Sequence, residues 1–362
     1  MVMFSQRVES VGLESPGRQA GVIIRQHSQS IAEQVIARIY ATQPTTTHDL
    51  DDASYAKSVR DINYHARYLA EALWADDAEL FLTYIDWAAE LFRGLGFSET
   101  ILSSTLYHLQ AELHGRFSSP QIEAIDALLI AAQTRLSEPN LPLPSQMNDD
   151  LPFAALAAEY LRLLLEAKRR EATQLILDAV KRGVRVEDIY LHVFQCTQQE
   201  LGHLWQANQI NVAQEHYITA ATQFVMTQLY PYVFARQPTG LRLVAASVGN
   251  ELHELGVRMV ADFFEMAGWD TYYLGANTPA PGVVRAVVDY RADVLAISAT
   301  MTPHLAEVVA LISDARRLPT PPIILVGGHP FIISSTLWRQ VGADGTAPDA
   351  RRAVQLAEQL LA

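Results

Sequence analysis

Residues 251–256 read Glu-Leu-His-Glu-Leu-Gly, and they follow an apolar run at residues 241–248. An apolar run of this length predicts a strand that is buried on both faces, as strands of parallel sheets are. His253 then lies in the loop after the strand, two residues beyond Glu251. One nitrogen of a histidine ring can bind a metal while a carboxylate holds the other N–H and fixes the tautomer. The alternative is that His253 is an ordinary loop residue that binds no metal. The sequence downstream distinguishes these two roles.

Small residues recur after the later strand-like runs, at Ser298 and Thr300 and at Gly327 and Gly328. With Glu251-x-His253-x-x-Gly256, they resemble the Asp-x-His-x-x-Gly, Ser-x-Leu/Thr and Gly-Gly signature of cobalamin-binding domains. The resemblance implies that His253 binds cobalt from below, in place of the cofactor's own benzimidazole. It also implies that the displaced nucleotide tail enters a slot between the sheet and the helices and runs past these small residues. Glu251 departs from the family's aspartate, with the same charge and a longer reach.

The predicted contacts of the corrinoid on this side are Glu251, Leu252, His253, Gly256, Ser298, Thr300, Gly327, Gly328 and His329. His329, beside the glycine pair, either touches the nucleotide tail or faces solvent. The alternative role of the glycines and serines is ordinary turn formation at strand ends, since both residue types are common in turns.

A second motif lies upstream, where Trp205 is followed after nine residues by Glu215 and His216. It resembles the Trp-x9-Glu-His element of light-sensing adenosylcobalamin proteins, in which a four-helix bundle covers the upper face of the corrin. The resemblance implies that these three side chains surround the adenosyl group; the alternative is a core tryptophan beside a solvated pair. In light-responsive B12 repressors a histidine directly follows the tryptophan and binds cobalt after photolysis. This chain has Gln206 there, so His203, His216, another residue or none takes that role.

Composition excludes several classes of function. The 362 residues carry a net charge of −13, which argues against autonomous binding to duplex DNA, because that needs a basic face against the phosphates. Cys196 is the single cysteine, so no intrachain disulfide can form, and a cytoplasmic location is expected. No uninterrupted apolar run approaches the ~20 residues of a membrane span, and the N-terminus lacks the apolar core of a signal peptide.

The pattern of apolar residues divides the chain into five predicted parts. They are a flexible tail (1–20), an all-α globin-like domain (21–136), a proline-rich linker (137–152), a four-helix bundle (153–238) and a cobalamin-binding α/β domain (239–362). The predicted fold class is therefore α plus α/β. Strand-like and helix-like runs alternate in the last part, which predicts a doubly wound parallel sheet of the flavodoxin or Rossmann kind. A ligand is expected at the carboxyl ends of its strands.

The N-terminal helical domain carries candidates for a chromophore pocket. Residues 64–73 and 81–87 resemble the globin-like domains of sensors that lack haem, and the corresponding part of photocobilins. Photocobilins are photoreceptors that combine a cobalamin domain with a globin-like domain holding the linear tetrapyrrole biliverdin. The predicted pocket residues are Tyr64, His65, Arg67, Tyr68, Tyr84, Trp87 and His108. Arginine suits a propionate because it can bind a carboxylate with two hydrogen bonds. The alternatives are aromatics that fill a core, and a haem globin, for which no proximal histidine stands out.

Together these resemblances imply a cytoplasmic photoreceptor, not an enzyme, that binds adenosylcobalamin and, in its N-terminal domain, biliverdin. Light would break the cobalt–carbon bond, shift the bundle and change the assembly of a homo-oligomer. The sequence carries neither a basic helix-turn-helix nor kinase signatures, so the output is expected through self-association or a separate protein partner. No direct contact with nucleic acid or membrane is expected. The alternatives are a corrinoid carrier for methyl transfer, the small subunit of a mutase, and a B12 sensor without a light response.

Overall fold

The structure is a computed structural model that describes residues 15–42, 52–138, 145, 147, 150–234 and 236–362. The chain divides into two compact units, Met1–Pro142 and Leu143–Ala362. Most of the predicted linker, residues 137–152, lies outside the described residues. Within it, Ser145 donates its hydroxyl to Glu200 (2.9 Å) and Met147 packs against the core of the second unit.

The described part of the N-terminal unit consists of helices, as predicted. They are α1 (Pro16–Thr42), α2 (Asp52–Ala75), α3 (Glu79–Gly94), α4 (Glu99–His114) and α5 (Ser119–Ser137). The predicted tail of residues 1–20 is too long, because α1 already begins at Pro16. Proline is favoured at the first position of a helix, where its missing N–H is not needed. Residues 1–14 of that tail lie outside the described residues.

Helices α1 and α2 form the tightest helix pair of this unit. A side-chain carbon at Gly21 would lie 2.5 Å from the carbonyl oxygen of Ala70, so only glycine permits this approach. One turn further, Arg25 binds the fully buried carboxylate of Glu71 with two hydrogen bonds of 2.6 and 2.7 Å. A buried carboxylate needs such a partner, because leaving it unpaired costs several kcal/mol. The pair therefore fixes how α1 lies on α2.

The second unit begins with a helical bundle. Its helices are α6 (Ala154–Leu165), α7 (Arg169–Lys181), α8 (Val186–Ile189), α9 (Gln195–Gln206), α10 (Val212–Gln228) and the short α11 (Tyr230–Val233). A π-helical turn, Tyr190–Phe194, joins α8 to α9, so residues 186–206 form one continuous helical rod. Asn211 caps α10 by accepting a hydrogen bond from the backbone N–H of Gln214 (2.9 Å).

A parallel five-stranded sheet with flanking helices completes the second unit. Its strands are β1 (Arg242–Ser247), β2 (Asp270–Tyr273), β3 (Val294–Ser298), β4 (Ile323–Gly327) and β5 (Gly345–Thr346), and its helices are α12 (Leu255–Met266), α13 (Ala280–Tyr290), α14 (Leu305–Ala315), α15 (His329–Ile333), α16 (Leu337–Gln340) and α17 (Ala350–Leu361). The strand order β2-β1-β3-β4-β5 is that of flavodoxin-like folds. The predicted fold class, α plus α/β with a doubly wound parallel sheet, is confirmed.

The strand register brings the motif residues to one edge of the sheet. Ser247 pairs with Ser298, and Ser298 pairs with Gly327, at the carboxyl ends of β1, β3 and β4. Bundle and sheet share one hydrophobic core, in which Phe194 of the bundle and Phe264 and Trp269 of the α/β domain are buried. Among the described helices, none combines the length and the apolar character needed to cross a membrane.

Candidate functional site

Glu251 lies fully buried beneath the loop that follows β1. Its Oε2 accepts hydrogen bonds from the backbone N–H groups of Thr300 (2.7 Å) and Met301 (3.0 Å), directly after β3. Nδ1 of His304, in the 3-10 turn that follows, lies 3.1 Å from the same oxygen. Burial alone would raise the pKa of this carboxyl, but hydrogen bonds from His253 and His304 and the charge of His253 hold its pKa well below the usual range. Glu251 is therefore an anion that bridges two strand ends.

His253 stands over this carboxylate with a side chain that is 60% exposed. Its backbone N–H donates to Oε1 of Glu251 (3.0 Å), and its Nδ1 lies 2.5 Å from the same oxygen. Ser247 donates its hydroxyl to the carbonyl oxygen of His253 (2.8 Å). The hydrogen bond to Glu251 raises the pKa of the imidazole. With Nδ1 held by the carboxylate, the ring presents Nε2 to a metal, the arrangement common in metal-binding histidines.

The glycines predicted to border the nucleotide tail are of two kinds. A side-chain carbon at Gly256 or Gly327 would meet nothing within 4 Å in the described part of the chain, so both border open space. At Gly328 the same carbon would lie 2.0 Å from the carbonyl oxygen of Ala299, and its φ of 108° also favours glycine. Gly328 therefore serves the close approach of two loops, whereas Gly256 and Gly327 leave room for a ligand.

The remaining residues predicted on this side surround the same strand ends. Ser298 is half-buried at the end of β3, and Thr300 follows it with its backbone N–H bound to Glu251. Leu252 is 73% exposed beside His253. His329 is exposed at the start of α15. The structure thus brings the predicted lower-side residues to a single edge of the sheet.

The predicted upper-side residues lie at the turn between α9 and α10. Trp205 is in the last turn of α9 and packs, partly buried, against the bundle core. In the first turn of α10, Oε2 of Glu215 lies 2.5 Å from Nδ1 of His216, whose side chain is 75% exposed. The negative charge of Glu215 contributes to the raised pKa of His253, after the hydrogen bond to Glu251. Glu215 of the bundle therefore lies close enough to His253 of the α/β domain to influence it electrostatically.

Of the two histidines named as candidates for the upper ligand, His216 resembles His253 and His203 does not. Gln206 is buried in the bundle. Nδ1 of His203 is buried and lies 3.9 Å from Glu200, beyond hydrogen-bond distance. His216 has a carboxylate on Nδ1 and an exposed ring, as His253 does.

Polar contacts that the sequence did not predict tie the bundle to the α/β domain. Gln223 of α10 donates to Oε1 of Glu254 (2.7 Å), whose Oε2 accepts the hydroxyl of Tyr273 (3.1 Å). Tyr190, in the π-helical turn, donates its hydroxyl to the buried carboxyl of Asp262 on α12 (2.9 Å). Burial raises the pKa of Asp262 to about 6. These contacts depend on which elements pack together, so no local pattern could have revealed them.

In the N-terminal unit, the predicted pocket residues form an aromatic cluster around Tyr84. Its hydroxyl lies 2.7 Å from Nδ1 of the buried His65, and its ring stacks on Tyr68 with centroids 3.7 Å apart. Trp87 stacks beside it at 6.1 Å and is partly exposed, as is Tyr64. Burial lowers the pKa of His65 to about 4. Of the other two predicted residues, Arg67 is half-buried on α2, and His108 is buried on α4 with its ring against Tyr107.

The lower-side residues fit a cobalt corrinoid. Among the described residues, no group of three or more His, Cys, Asp or Glu side chains is arranged to hold a metal ion. A single exposed imidazole suits a metal that arrives with its other ligands, as cobalt does in a corrin ring. The carboxylate on Nδ1 keeps Nε2 available, and the open space at Gly256 and Gly327 gives a nucleotide tail a path past the strand ends.

Comparison with known families agrees with this geometry. Residues 241–355 match the family described as B12 binding domain, and residues 156–230 match a second family of the same description. The chain carries B12-binding domains. Residues 18–136 match the family described as phycobilisome protein, so the N-terminal unit is a globin-like domain of the phycobilisome type. The predicted cobalt corrinoid cofactor is therefore supported by sequence beyond the quoted motifs.

Curated relatives match about a third of the chain. The HTH-type transcriptional repressor CarA of Myxococcus xanthus is 31% identical over 119 residues, which are 33% of this chain and 41% of the relative. A corrinoid protein of Desulfitobacterium hafniense is 31% identical over 123 residues, 33% of this chain and 56% of the relative. The chain thus spans about half the length of these relatives. The monomethylamine corrinoid protein of Methanosarcina barkeri has the same fold, with a TM-score of 0.51 at 20% identity, covering 58% of this chain and all of that one.

Proposed function

We propose that this protein senses light through adenosylcobalamin held between the bundle and the α/β domain, with His253 below cobalt. The observation that carries the proposal is the Glu251–His253 pair, in which the carboxylate holds Nδ1 of a largely exposed ring and leaves Nε2 available to cobalt. The similarity to the repressor CarA and the Trp205, Glu215 and His216 element support a sensor with a covered upper face. Bound adenosylcobalamin would supply a cobalt–carbon bond that visible light cleaves.

The residues on the lower side would hold the corrinoid in one orientation. His253 would offer Nε2, while Glu251 keeps the ring in the required tautomer. Because Glu251 is itself bound by two backbone N–H groups and His304, the oxygen that orients the ring has a fixed position. The upper side would act differently, since Trp205, Glu215 and His216 belong to the bundle and would contact the upper group.

The response to light would be a shift between two arrangements of the bundle. A group that touches both bundle and corrin favours the arrangement that contacts it, and its loss changes the relative energy of the two. The contacts Gln223–Glu254 and Tyr190–Asp262 join the parts that would have to move. We propose that this shift changes the assembly of a homo-oligomer and so the binding of a separate protein partner.

We propose further that the N-terminal unit binds biliverdin. The match of residues 18–136 to the phycobilisome protein family supports a linear tetrapyrrole rather than haem. The cluster of His65, Tyr68, Tyr84 and Trp87 gathers aromatic rings, with Trp87 partly exposed at its edge. Arg67, on the same helix as His65, carries a guanidinium of the kind that binds a propionate.

A carrier of methylated corrinoid is the second candidate. Relatives that include the dimethylamine corrinoid protein 1 of Methanosarcina acetivorans, 28% identical over 124 residues, favour it. A carrier needs the lower histidine but has no use for a pigment-binding domain, and the N-terminal unit therefore favours the sensor.

Absorbance spectra discriminate between the two functions. The full chain, expressed with a source of biliverdin and loaded with adenosylcobalamin in the dark, is measured before and after green light. A sensor should change its corrin bands and its elution volume in size-exclusion chromatography, and a bilin should add a band at the red end. An adenosylcobalamin complex whose spectrum is the same after illumination would exclude light sensing and leave the carrier.

A further inference from the structure

A hydrogen-bonded chain runs through the bundle and ends at Glu215. At its inner end, the fully buried Tyr160 of α6 donates its hydroxyl to Thr222 of α10 (3.2 Å). Thr222 also accepts from Nε2 of Gln198 on α9 (3.2 Å). This hydrogen-bonded chain thus joins three helices of the bundle and begins in the buried interior of the bundle.

The outer half of the chain fixes the orientation of the Glu215 carboxylate. Because Nε2 of Gln198 points to Thr222, its Oε1 points to the hydroxyl of Thr219 (2.9 Å). The same hydroxyl lies 3.0 Å from Oε1 of Glu215. Glu215 is 29% exposed, so the hydrogen-bonded chain leads from the core to the surface of the bundle.

The carboxylate of Glu215 has acceptor positions left for another hydrogen bond, as a count of the hydrogens and acceptors around it indicates. Thr219 has one hydroxyl hydrogen, and two oxygens at similar distances compete for it. An ionised carboxylate has about four acceptor positions, and among the described side chains only His216 and Thr219 lie within hydrogen-bond distance of them. A ligand with hydroxyl donors can use the remaining positions, whereas a methyl group cannot.

We propose that Thr219 is a positioning residue that aims Glu215 at a hydroxyl-bearing upper ligand, and so sets a preference for adenosylcobalamin over methylcobalamin. The inference rests on the proposed function and adds to it a residue that orients the group facing the upper ligand. Thr219 does not need to touch the corrin for this role.

The test measures two dissociation constants on the purified full-length protein in the dark, one for adenosylcobalamin and one for methylcobalamin. Thr219→Val keeps the shape of the side chain and removes its hydroxyl. It should weaken adenosylcobalamin binding about tenfold, which corresponds to roughly 1.4 kcal/mol, and leave methylcobalamin binding within about twofold. Gln198→Leu removes the competing acceptor, so the hydroxyl of Thr219 should donate to Glu215 alone and the preference should be kept. Thr219→Ser, which keeps the hydroxyl, should also keep the preference.

Thr173→Val is the matched control, because Thr173 is a bundle threonine whose hydroxyl donates within its own helix to the carbonyl oxygen of Arg169 (2.8 Å). It should change neither constant. Equal weakening of both cobalamins by Thr219→Val would show a structural role and overturn the inference, and so would an unchanged ratio of the two constants. With either of these two outcomes, a wild-type protein that binds both cobalamins and responds to light would leave the proposed function standing, and this inference alone would fail. Wild-type protein that binds neither cobalamin overturns both.

Discussion

Nδ1 of His304 lies 3.1 Å from Oε2 of Glu251, the carboxylate whose other oxygen holds His253. One buried anion therefore serves two histidines that come from different strand ends. It also binds two backbone N–H groups of the loop after β3. The orientation of the proposed cobalt ligand is thus tied to the stability of the sheet edge, and the first two predictions separate these two roles.

His253→Ala should weaken cobalamin binding about tenfold or more, the scale on which partners of metal-binding histidines act. The bound cofactor should then return to its own benzimidazole, which changes the absorbance spectrum. Thermal unfolding should change little, because the ring is largely exposed. His27→Ala, on the exposed face of α1, is the control that should alter neither property. Unchanged binding with an unchanged spectrum in His253→Ala would remove His253 from the cobalt site.

Glu251→Ala should destabilise the second unit by about 3 kcal/mol, because it leaves buried N–H groups of Thr300 and Met301 without an acceptor. Glu251→Gln keeps an acceptor oxygen and should cost less. Urea unfolding of the full chain measures both. A loss of stability in Glu251→Ala no larger than that of a surface substitution would contradict the bridging role of this carboxylate.

Two adjacent glycines should respond in opposite ways to alanine. Gly328→Ala should destabilise the protein by more than about 3 kcal/mol, because its new carbon would overlap the backbone of Ala299 at a positive φ. Gly327→Ala should fold normally, since it borders open space, and should weaken cobalamin binding if the nucleotide tail passes there. Melting temperatures without ligand and cobalamin titrations give the two results. Normal affinity in a folded Gly327→Ala variant would place the tail elsewhere.

The stability of the second unit should fall as pH rises from about 4 to about 6, owing to Asp262. Its folded pKa of about 6 exceeds the unfolded value of 3.8, so the folded state binds the proton more tightly and loses this advantage as the carboxyl ionises. The expected change is on the order of 2–3 kcal/mol. Asp262→Asn should flatten this part of the pH profile. The test is to measure the urea midpoints of the wild type and of Asp262→Asn across this pH range. If both midpoints change with pH in the same way, the pH dependence does not come from Asp262.

The N-terminal unit should lose stability as pH falls from about 6.5 to about 4. Burial lowers the folded pKa of His65 to about 4, so the unfolded chain takes up the proton first and acid favours unfolding. Replacing both partners, by His65→Leu with Tyr84→Phe, should be nearly neutral at pH 7 and should remove the effect. Calorimetry of the full chain follows the transition. An acid response that survives in the double variant would have to come from other groups.

The sequence predicted the parts of the fold and site that are encoded locally. The apolar run before Glu251 predicted β1, and the two-residue spacing placed Glu251 and His253 within contact, where the structure has them. His304 was missed because it is 53 positions from Glu251 and reaches it only through the parallel pairing of β1 with β3.

Long-range packing also explains the other differences. Asp262 looks like an ordinary polar residue of an amphipathic helix, and it is buried only because the bundle covers α12. The early start of α1 does not depend on long-range packing. Pro16 is a local signal for a first helical turn, and the prediction of a tail over residues 1–20 overlooked it. The assignment of Gly328 to the tail slot missed its packing against Ala299, which depends on a neighbouring loop.

The division of the chain into two compact units makes calorimetry a test of which chromophore is bound. A ligand that binds only the folded state raises the unfolding temperature of the unit that holds it. Since the chain consists of two compact units, cobalamin should move one endotherm of a calorimetric scan and biliverdin the other. Occupancy of each chromophore could then be followed separately in one sample, without reference to colour.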